Sequence, residues 1–244
     1  MRVRTFATPH HAARALAREI AKALNANPRL VLGLPTGRTP ILLYRELVRL
    51  NQTGTIDFSG ATTFNLDEFA GVPAGDPRSY HAFMRRHLFD HVNLQRRRIN
   101  FLNGAARNAE AECARYETAI RRSGGIDLQI LGLGANGHIG FNEPADALIA
   151  ATHRARLRSA TRRANASLFG NHVRAVPHEA LSMGVATILR ARRIILLATG
   201  STKARCVERM LEGRISPRVP ASFLQLHRNV DVWLDQAAAL RLTG

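Results

Sequence analysis

The sequence predicts an α/β protein in which helices cover both faces of a mostly parallel β-sheet. Short apolar segments alternate along the chain with longer segments of helical periodicity, and polar loops follow four of the apolar segments. This alternation of strand, loop and helix is typical of a parallel sheet. The chain has 244 residues, of which 45% are hydrophobic. That length supports a sizeable core, and we predict a single domain over residues 1–244.

The first four elements follow from apolar patterning. Residues 9–24 are alanine-rich with apolar positions at helical spacing, so they predict a helix. The apolar run 30–34 predicts a short buried strand. A helix is predicted over residues 41–50, and Pro40 suits its first position, where a proline loses no hydrogen bond. The next strand is predicted over residues 62–66.

The later elements continue the alternation. Residues 79–92 predict a helix, and another is predicted from Asn108, a fair N-cap residue, to Arg122. The remaining predictions are strands over residues 126–131, 193–198 and 230–234 and helices over residues 178–190 and 204–212.

Four polar loops directly follow predicted strands. In open α/β sheets, ligands bind beyond the carboxyl ends of the strands. We therefore expect the four loops to converge on one crevice. They cover residues 35–40, 67–71, 132–144 and 199–203.

Loop 35–40 has the character of an anion site. It contains Thr36, Gly37, Arg38 and Thr39 at the start of a predicted helix. Unpaired N–H groups and the helix dipole favour phosphate at such a position. The Gly-Lys-Ser/Thr of a Walker A loop is missing. Taken alone, the loop fits a plain turn equally well.

Loop 199–203 has the same character, with Gly200, Ser201 and Lys203 before a helix. A surface lysine is the simpler interpretation of Lys203 in isolation. Two such loops at corresponding strand ends favour a phosphorylated ligand.

Asp67 and Glu68 end an apolar strand. One of the pair is expected to point into the crevice and the other into the fold or an ion pair. A carboxylate at this place could remove a proton next to a carbonyl or imine. Helix capping is the alternative role for Asp67.

The glycine-rich loop 132–144 begins like a dinucleotide-binding GxGxxG motif. We reject that interpretation because no acidic residue follows about twenty positions on, after a second strand. His138 and Glu143 lie five residues apart in a constrained turn, which predicts a contact between them. Such a contact would raise the imidazole pKa and fix its tautomer, as acid–base catalysis needs. A structural histidine is the alternative.

Composition restricts the class of partner. The net charge is +17, from 35 Lys and Arg against 18 Asp and Glu, but the basic clusters are scattered and no aromatic residues interleave with them. We expect no nucleic-acid partner. The N-terminus lacks an apolar signal region, and the longest apolar stretches are too short to span a membrane. Cys113 and Cys206 show no metal-ligand spacing, so we expect no metal and a reducing cytoplasm.

Four segments together identify a family. The chain resembles glucosamine-6-phosphate deaminases over nearly its whole length. Asp67 with the Asn-Glu-Pro turn at residues 142–144 distinguishes it from the related 6-phosphogluconolactonases. The segments that carry the resemblance are Leu32-Gly33-Leu34-Pro35-Thr36-Gly37, Phe64-Asn65-Leu66-Asp67-Glu68-Phe69, Gly137-His138-Ile139-Gly140-Phe141-Asn142-Glu143-Pro144 and Pro220-Ala221-Ser222-Phe223-Leu224-Gln225-Leu226-His227.

The resemblance implies a modified Rossmann-like three-layer fold, no cofactor, and a reaction classed with hydrolases and isomerases. His138, supported by Glu143 and Asn136, would open the sugar ring. Asp67 would move a proton from C2 to C1, after which water releases ammonia and leaves fructose 6-phosphate. Loops 35–40 and 199–203, with Lys203, would hold the phosphate.

Three departures from the family pattern matter. Asn136 stands where some relatives carry Asp. Ser167 stands where many relatives carry a phosphate-binding arginine, and we hypothesise that Arg38 supplies the missing charge. His153 and Ala155 replace basic residues of allosteric relatives, and the chain ends early. We therefore do not expect activation by N-acetylglucosamine 6-phosphate.

Two other functions remain open at this point. The substrate could be galactosamine 6-phosphate, or the protein could be a sugar-phosphate-binding regulator without catalysis. Homo-oligomerisation is also left open.

Overall fold

The structure, a computed structural model, describes residues 1–242. The described residues form eight α-helices, ten β-strands and several short 3₁₀ turns. The helices are α1 (Pro9–Ala26), α2 (Ile41–Gln52), α3 (Tyr80–His87), α4 (Ala109–Arg122), α5 (Ser159–Asn165), α6 (Val185–Leu189), α7 (Ala204–Leu211) and α8 (Gln236–Ala239). The strands are β1 (Arg2–Phe6), β2 (Val31–Leu34), β3 (Thr62–Asn65), β4 (Asp67–Phe69), β5 (Ile99–Asn100), β6 (Leu128–Gly132), β7 (His153–Arg156), β8 (Glu179–Ser182), β9 (Arg193–Ala198) and β10 (Val230–Asp235).

Seven strands form the central sheet, in the order β1-β10-β9-β6-β2-β3-β5. Every pairing in it is parallel. The prediction of a mostly parallel α/β sheet is therefore confirmed. The carboxyl ends of β2, β3, β6 and β9 lie along one edge, because parallel strands end on the same side.

Helices cover both faces of this sheet. Successive strand side chains alternate between two apolar clusters, as they must when both faces are buried. On one face Ile130 and Leu197 pack with α1 and α2; on the other Leu131 and Leu196 pack with α4 and α7. The three layers hold the strand ends in fixed positions.

A smaller antiparallel sheet of three strands, in the order β4-β8-β7, lies beside the large one. Its strand β4 begins only two residues after β3 ends. Asp67 pairs with Ser182 and Phe69 with Ala180. The segment predicted as loop 67–71 therefore begins as a strand, and the chain passes directly from one sheet to the other.

The predicted helix over residues 178–190 is wrong. Its first part forms strand β8, and only Val185–Leu189 is helical. Ala180 and Leu181 are buried in the small sheet between β4 and β7. Tertiary pairing thus outweighs the local apolar spacing, which fits a helix equally well.

The predicted helix over residues 79–92 is shorter than expected. Ser79 caps α3 by accepting the Ala82 N–H, and α3 ends before Leu88, whose backbone leaves the helical region. A 3₁₀ turn over residues 89–91 follows. Strand β1 and strand β7 were not predicted, and both are rich in arginine and other polar residues.

A buried carboxylate fastens the edge strand β1 to the sheet. Asp231 of β10 is fully buried, and it accepts hydrogen bonds from Arg2 of β1 at 2.8 Å and from Arg193 of β9 at 2.7 Å. Burial acts to raise the pKa of Asp231, but the hydrogen bonds from the two arginines outweigh it and leave the pKa below its ordinary value. One carboxylate thus joins three strands.

We predict that Asp231→Asn lowers the free energy of unfolding by about 2–3 kcal/mol near neutral pH, because it removes the charge between two arginines. The difference should shrink at acidic pH, where the wild-type carboxylate becomes protonated. Urea denaturation of both proteins at several pH values measures this. Asp90→Asn, which breaks an exposed pair with Arg85, is the control and should cost less than about 1 kcal/mol. Equal effects of the two substitutions would contradict the prediction.

Candidate active site

A cavity of about 770 Å³ opens at the carboxyl edge of the central sheet. Its walls come from the loops after β2, β6 and β9, from the start of β4, and from α5. The cavity brings together seven predicted site residues from four separate segments of the chain. These are Thr36, Gly37, Arg38, Thr39, Asp67, His138 and Lys203.

Four predicted site residues do not line this cavity. Asn136 and Glu143 contact each other and lie next to His138, which does line the cavity. Gly200 donates its backbone N–H to the carboxylate of Asp235 at 3.0 Å, so that N–H serves the fold. Ser201 also lies outside the lining, whereas its neighbours Thr199 and Thr202 contribute to it.

The adjacent carboxylates Asp67 and Glu68 point in different directions, as strand alternation predicts. Asp67 faces the cavity. Glu68 points into the fold, where it accepts hydrogen bonds from the backbone N–H groups of Phe69, Tyr80 and His81, each at 2.9 Å. Two of these groups belong to the start of α3, so Glu68 joins that helix to β4.

Burial changes the titration of both carboxyl groups. Asp67 is 6% exposed, and burial, together with the charge of Glu68, raises its pKa from 3.8 to about 8. Burial also raises the pKa of Glu68 to about 7, although its three backbone hydrogen bonds act in the opposite direction. A carboxyl group with such a pKa is poised to exchange a proton near neutral pH.

His138 lies in the cavity wall with its Nδ1 atom 3.7 Å from Oε2 of Glu143. This distance is too long for a hydrogen bond, and Nδ1 has no hydrogen-bond partner among the described residues. Asn136 bridges the gap. Its Nδ2 donates to Glu143 at 2.8 Å, and its Oδ1 accepts the backbone N–H of His138 at 3.2 Å.

The expectation of a raised imidazole pKa at His138 is wrong, although Glu143 does act to raise it. The pKa of His138 is lowered, because burial outweighs the attraction of Glu143 and the charge of Lys203 acts in the same direction as burial. The imidazole is consequently neutral at neutral pH, and one of its ring nitrogens can accept a proton.

Gly134 makes room for this imidazole. A Cβ atom added at Gly134 would lie 2.3 Å from Cε1 of His138, well inside van der Waals contact. Gly134 therefore allows close packing of the loop against the histidine ring.

The loop after β2 is shaped as an anion site would require. Gly37 has φ of 100°, a conformation that side chains rarely adopt. The hydroxyl of the buried Tyr44 donates to the Pro35 carbonyl and fixes the start of the loop. Across the cavity, burial lowers the pKa of Lys203. An anion placed between loop and lysine would favour the charged amine.

Sequence patterns did not single out Tyr80, Asn165 or Arg163, which also line the cavity. The Tyr80 hydroxyl donates to Oδ1 of Asn165 at 2.8 Å. Tyr80 and Thr36 of the loop after β2 line the same cavity. In the sequence, Arg163 appears only as one of an arginine pair at residues 162–163, and such a pair by itself is typical of a solvated surface.

Within residues 1–242, no cluster of three or more His, Cys, Asp or Glu side chains is arranged to hold a metal ion. None of the helices in that range combines the length and apolar character that crossing a membrane would need.

Comparison with known proteins places the chain among enzymes of amino-sugar phosphates. Residues 5–233 match the family described as glucosamine-6-phosphate isomerases/6-phosphogluconolactonase. The glucosamine-6-phosphate deaminase of Halothermothrix orenii is 50% identical over 220 residues, which cover 90% of this chain and 91% of that protein. The deaminase of Clostridium perfringens (strain 13 / Type A) is 45% identical over 223 residues, covering 91% and 92%.

Solved structures agree with these relatives. A monomeric glucosamine-6-phosphate deaminase matches with a TM-score of 0.96 and 44% identity, covering 99% of this chain and all of that one. The 6-phosphogluconolactonase from Trypanosoma cruzi has a TM-score of 0.79 at 19% identity, covering 100% of this chain and 97% of its own. At that identity, the likeness shows a shared fold.

We predict that Asp67→Asn stabilises the folded protein increasingly as the pH rises. The raised pKa means that the fold binds a proton at Asp67 that the unfolded chain releases. The stability from this proton is fully present below pH 3.8 and is lost as the pH rises to about 8. Asparagine imitates the protonated group.

In urea denaturation, the variant should therefore gain about 1 kcal/mol on wild type for each pH unit between about pH 5 and pH 8. A difference between the two proteins that stays constant over this range would contradict the raised pKa of Asp67.

Proposed function

Because this chain belongs to the glucosamine-6-phosphate isomerase/6-phosphogluconolactonase family, we propose that it is a glucosamine-6-phosphate deaminase. The reaction converts glucosamine 6-phosphate and water into fructose 6-phosphate and ammonia. The observation that carries the proposal is the shared cavity of Asp67, His138 and Lys203, which come from three different strand ends. These residues provide a base, an acid–base imidazole and an anchor for an anion in one place.

The phosphate would bind between the loop after β2 and Lys203. Thr36, Gly37 and Thr39 line this end of the cavity, with Arg38 exposed at its rim. Backbone N–H groups and hydroxyls suit phosphate oxygens, and the lysine adds charge. Holding the non-reacting end of the sugar fixes C1 and C2 relative to the catalytic groups, which lowers the entropic part of the barrier.

His138 would open the sugar ring. Its neutral imidazole can accept the proton of the C1 hydroxyl and deliver a proton to the ring oxygen, which yields the open-chain amino aldehyde. Glu143 stabilises the imidazolium formed in between, and Asn136 holds Glu143 and the backbone of His138 in place. The order of proton transfers follows from the lowered pKa of the ring.

Asp67 would then move a proton between carbons. In its ionised form, the carboxylate removes the C2 proton while O1 gains a proton, which gives an enolamine with a C1–C2 double bond. The carboxylate then returns its proton to C1 as the amino nitrogen gives up one proton, which balances the proton gained by O1. The product is an imine at C2. Water adds to this imine, ammonia leaves, and the C2 carbonyl of fructose 6-phosphate remains. Isomerisation is thus followed by hydrolytic loss of the nitrogen.

The cell compartment proposed for this reaction is the cytoplasm. Cys113 and Cys206 are both buried free thiols, as a reducing compartment would keep them.

We predict that purified protein releases ammonia from glucosamine 6-phosphate and that Asp67→Asn and His138→Gln each reduce kcat by about 10²- to 10⁴-fold, the usual effect of removing a general acid or base. Asp90→Asn changes an exposed aspartate far from the cavity and should leave kcat unchanged. Coupled detection of ammonia measures the rates.

The same assay separates the other functions. Faster turnover of galactosamine 6-phosphate would make that sugar the substrate. Binding of either sugar phosphate without ammonia release would overturn catalysis in favour of a regulator.

We also predict that Arg38→Ala raises the KM for glucosamine 6-phosphate about tenfold and changes kcat little. Arg38 would contribute a charge-assisted hydrogen bond to the phosphate, remote from C1 and C2. Steady-state kinetics on both proteins measure this. An unchanged KM would show that Arg38 does not bind the substrate.

A further inference from the structure

The cavity contains one cationic side chain that has no role in the proposed reaction. Its charged side chains, apart from His138, are Arg38, Asp67, Arg163 and Lys203. Asp67 is the single acidic side chain among them. A phosphate monoester carries a charge of about −1.5 to −2 at that pH. Arg163 is the cation to which the catalytic scheme assigns no role.

Arg163 comes from α5, in the segment that connects β7 to β8. Its side chain is exposed at the cavity rim, and within the described part of the chain it forms no ion pair. Its neighbour Arg162 differs, since its guanidinium donates to the backbone carbonyls of Val173 and Val176. Arg162 therefore supports the fold, while Arg163 is left available to a ligand.

The end of α5 is held against the cavity. Asn165, two residues after Arg163, accepts the Tyr80 hydroxyl at 2.8 Å. Tyr80 is buried and stacks on Phe141 with ring centroids 5.8 Å apart. Tyr80 and Thr36 of the loop after β2 line the same cavity. The backbone that carries Arg163 is thus fastened to a buried tyrosine that lines the same cavity as the loop proposed to bind the phosphate.

We propose that Arg163 is a substrate-binding residue that contacts the phosphate of the amino sugar from the α5 side. This inference rests on the proposed function and adds to it a phosphate ligand from the small-sheet side of the cavity. A guanidinium presents two parallel N–H donors to phosphate oxygens. Loop 35–40 and Lys203 would hold the phosphate from the central sheet, and Arg163 would close over it.

Arg163→Ala should raise the KM for glucosamine 6-phosphate about 10- to 100-fold and leave kcat within about twofold, because the phosphate does not react. Arg163→Lys should give an intermediate KM, since it keeps the charge but loses the paired donors. The inhibition constant of inorganic phosphate should rise in parallel with KM. Arg122→Ala removes an exposed arginine outside the cavity and controls for net charge.

The outcomes separate this inference from the proposed function. If wild type releases ammonia and Arg163→Ala keeps the wild-type KM and phosphate inhibition, Arg163 does not bind phosphate. If wild type releases no ammonia, calorimetric titration with inorganic phosphate still decides. Weaker binding by Arg163→Ala than by Arg122→Ala supports the inference, and equal binding overturns it. Matching thermal unfolding midpoints confirm that each variant is folded.

Discussion

The site depends on how two neighbouring carboxyl groups divide between the fold and the cavity. Glu68 accepts three backbone N–H groups, two of them from the start of α3. This fixes β4 in register, and strand alternation then turns Asp67 toward the opposite side. The base proposed for the C2 proton therefore has its direction set by its neighbour. The pKa of Asp67 is raised by its burial and by the charge of the adjacent Glu68.

The surroundings of His138 likewise set the pKa of its imidazole. Gly134 allows the ring of His138 to lie against the backbone of its own loop, and the resulting burial lowers the pKa. Glu143 lies near enough to stabilise a transient imidazolium but too far to form a hydrogen bond with the resting ring. The cavity therefore holds a neutral imidazole at His138, which can accept a proton, and a carboxyl group at Asp67, whose raised pKa allows it to carry one near neutral pH.

The sequence predicted the parts of the site that depend on strand ends. Polar residues after buried apolar runs must meet at one edge of a parallel sheet, so Asp67, His138 and Lys203 could be placed together without a structure. The arginine- and polar-rich strands β1 and β7 could not be found, because their pairing partners, not their own patterns, make them strands. Strand β8 has apolar spacing that also suits a helix, and it was assigned wrongly for that reason.

The direction of the His138 pKa shift also lay beyond the sequence, because it depends on burial. Arg163 was missed because an arginine pair gives no sign of which member faces a cavity.

The short strand β4 has a consequence for how such enzymes diverge. It belongs to the small sheet, where its partner β8 is joined to β7 by the segment that carries α5. Asp67 and the wall that bears Arg163 are thus parts of one antiparallel unit, although ninety-six positions separate them in the sequence. An insertion or exchange between residues 153 and 182 would alter the backbone partners of Asp67 as well as the cavity wall that bears Arg163. Chimeras built to change sugar preference should therefore transfer residues 67–69 together with that segment.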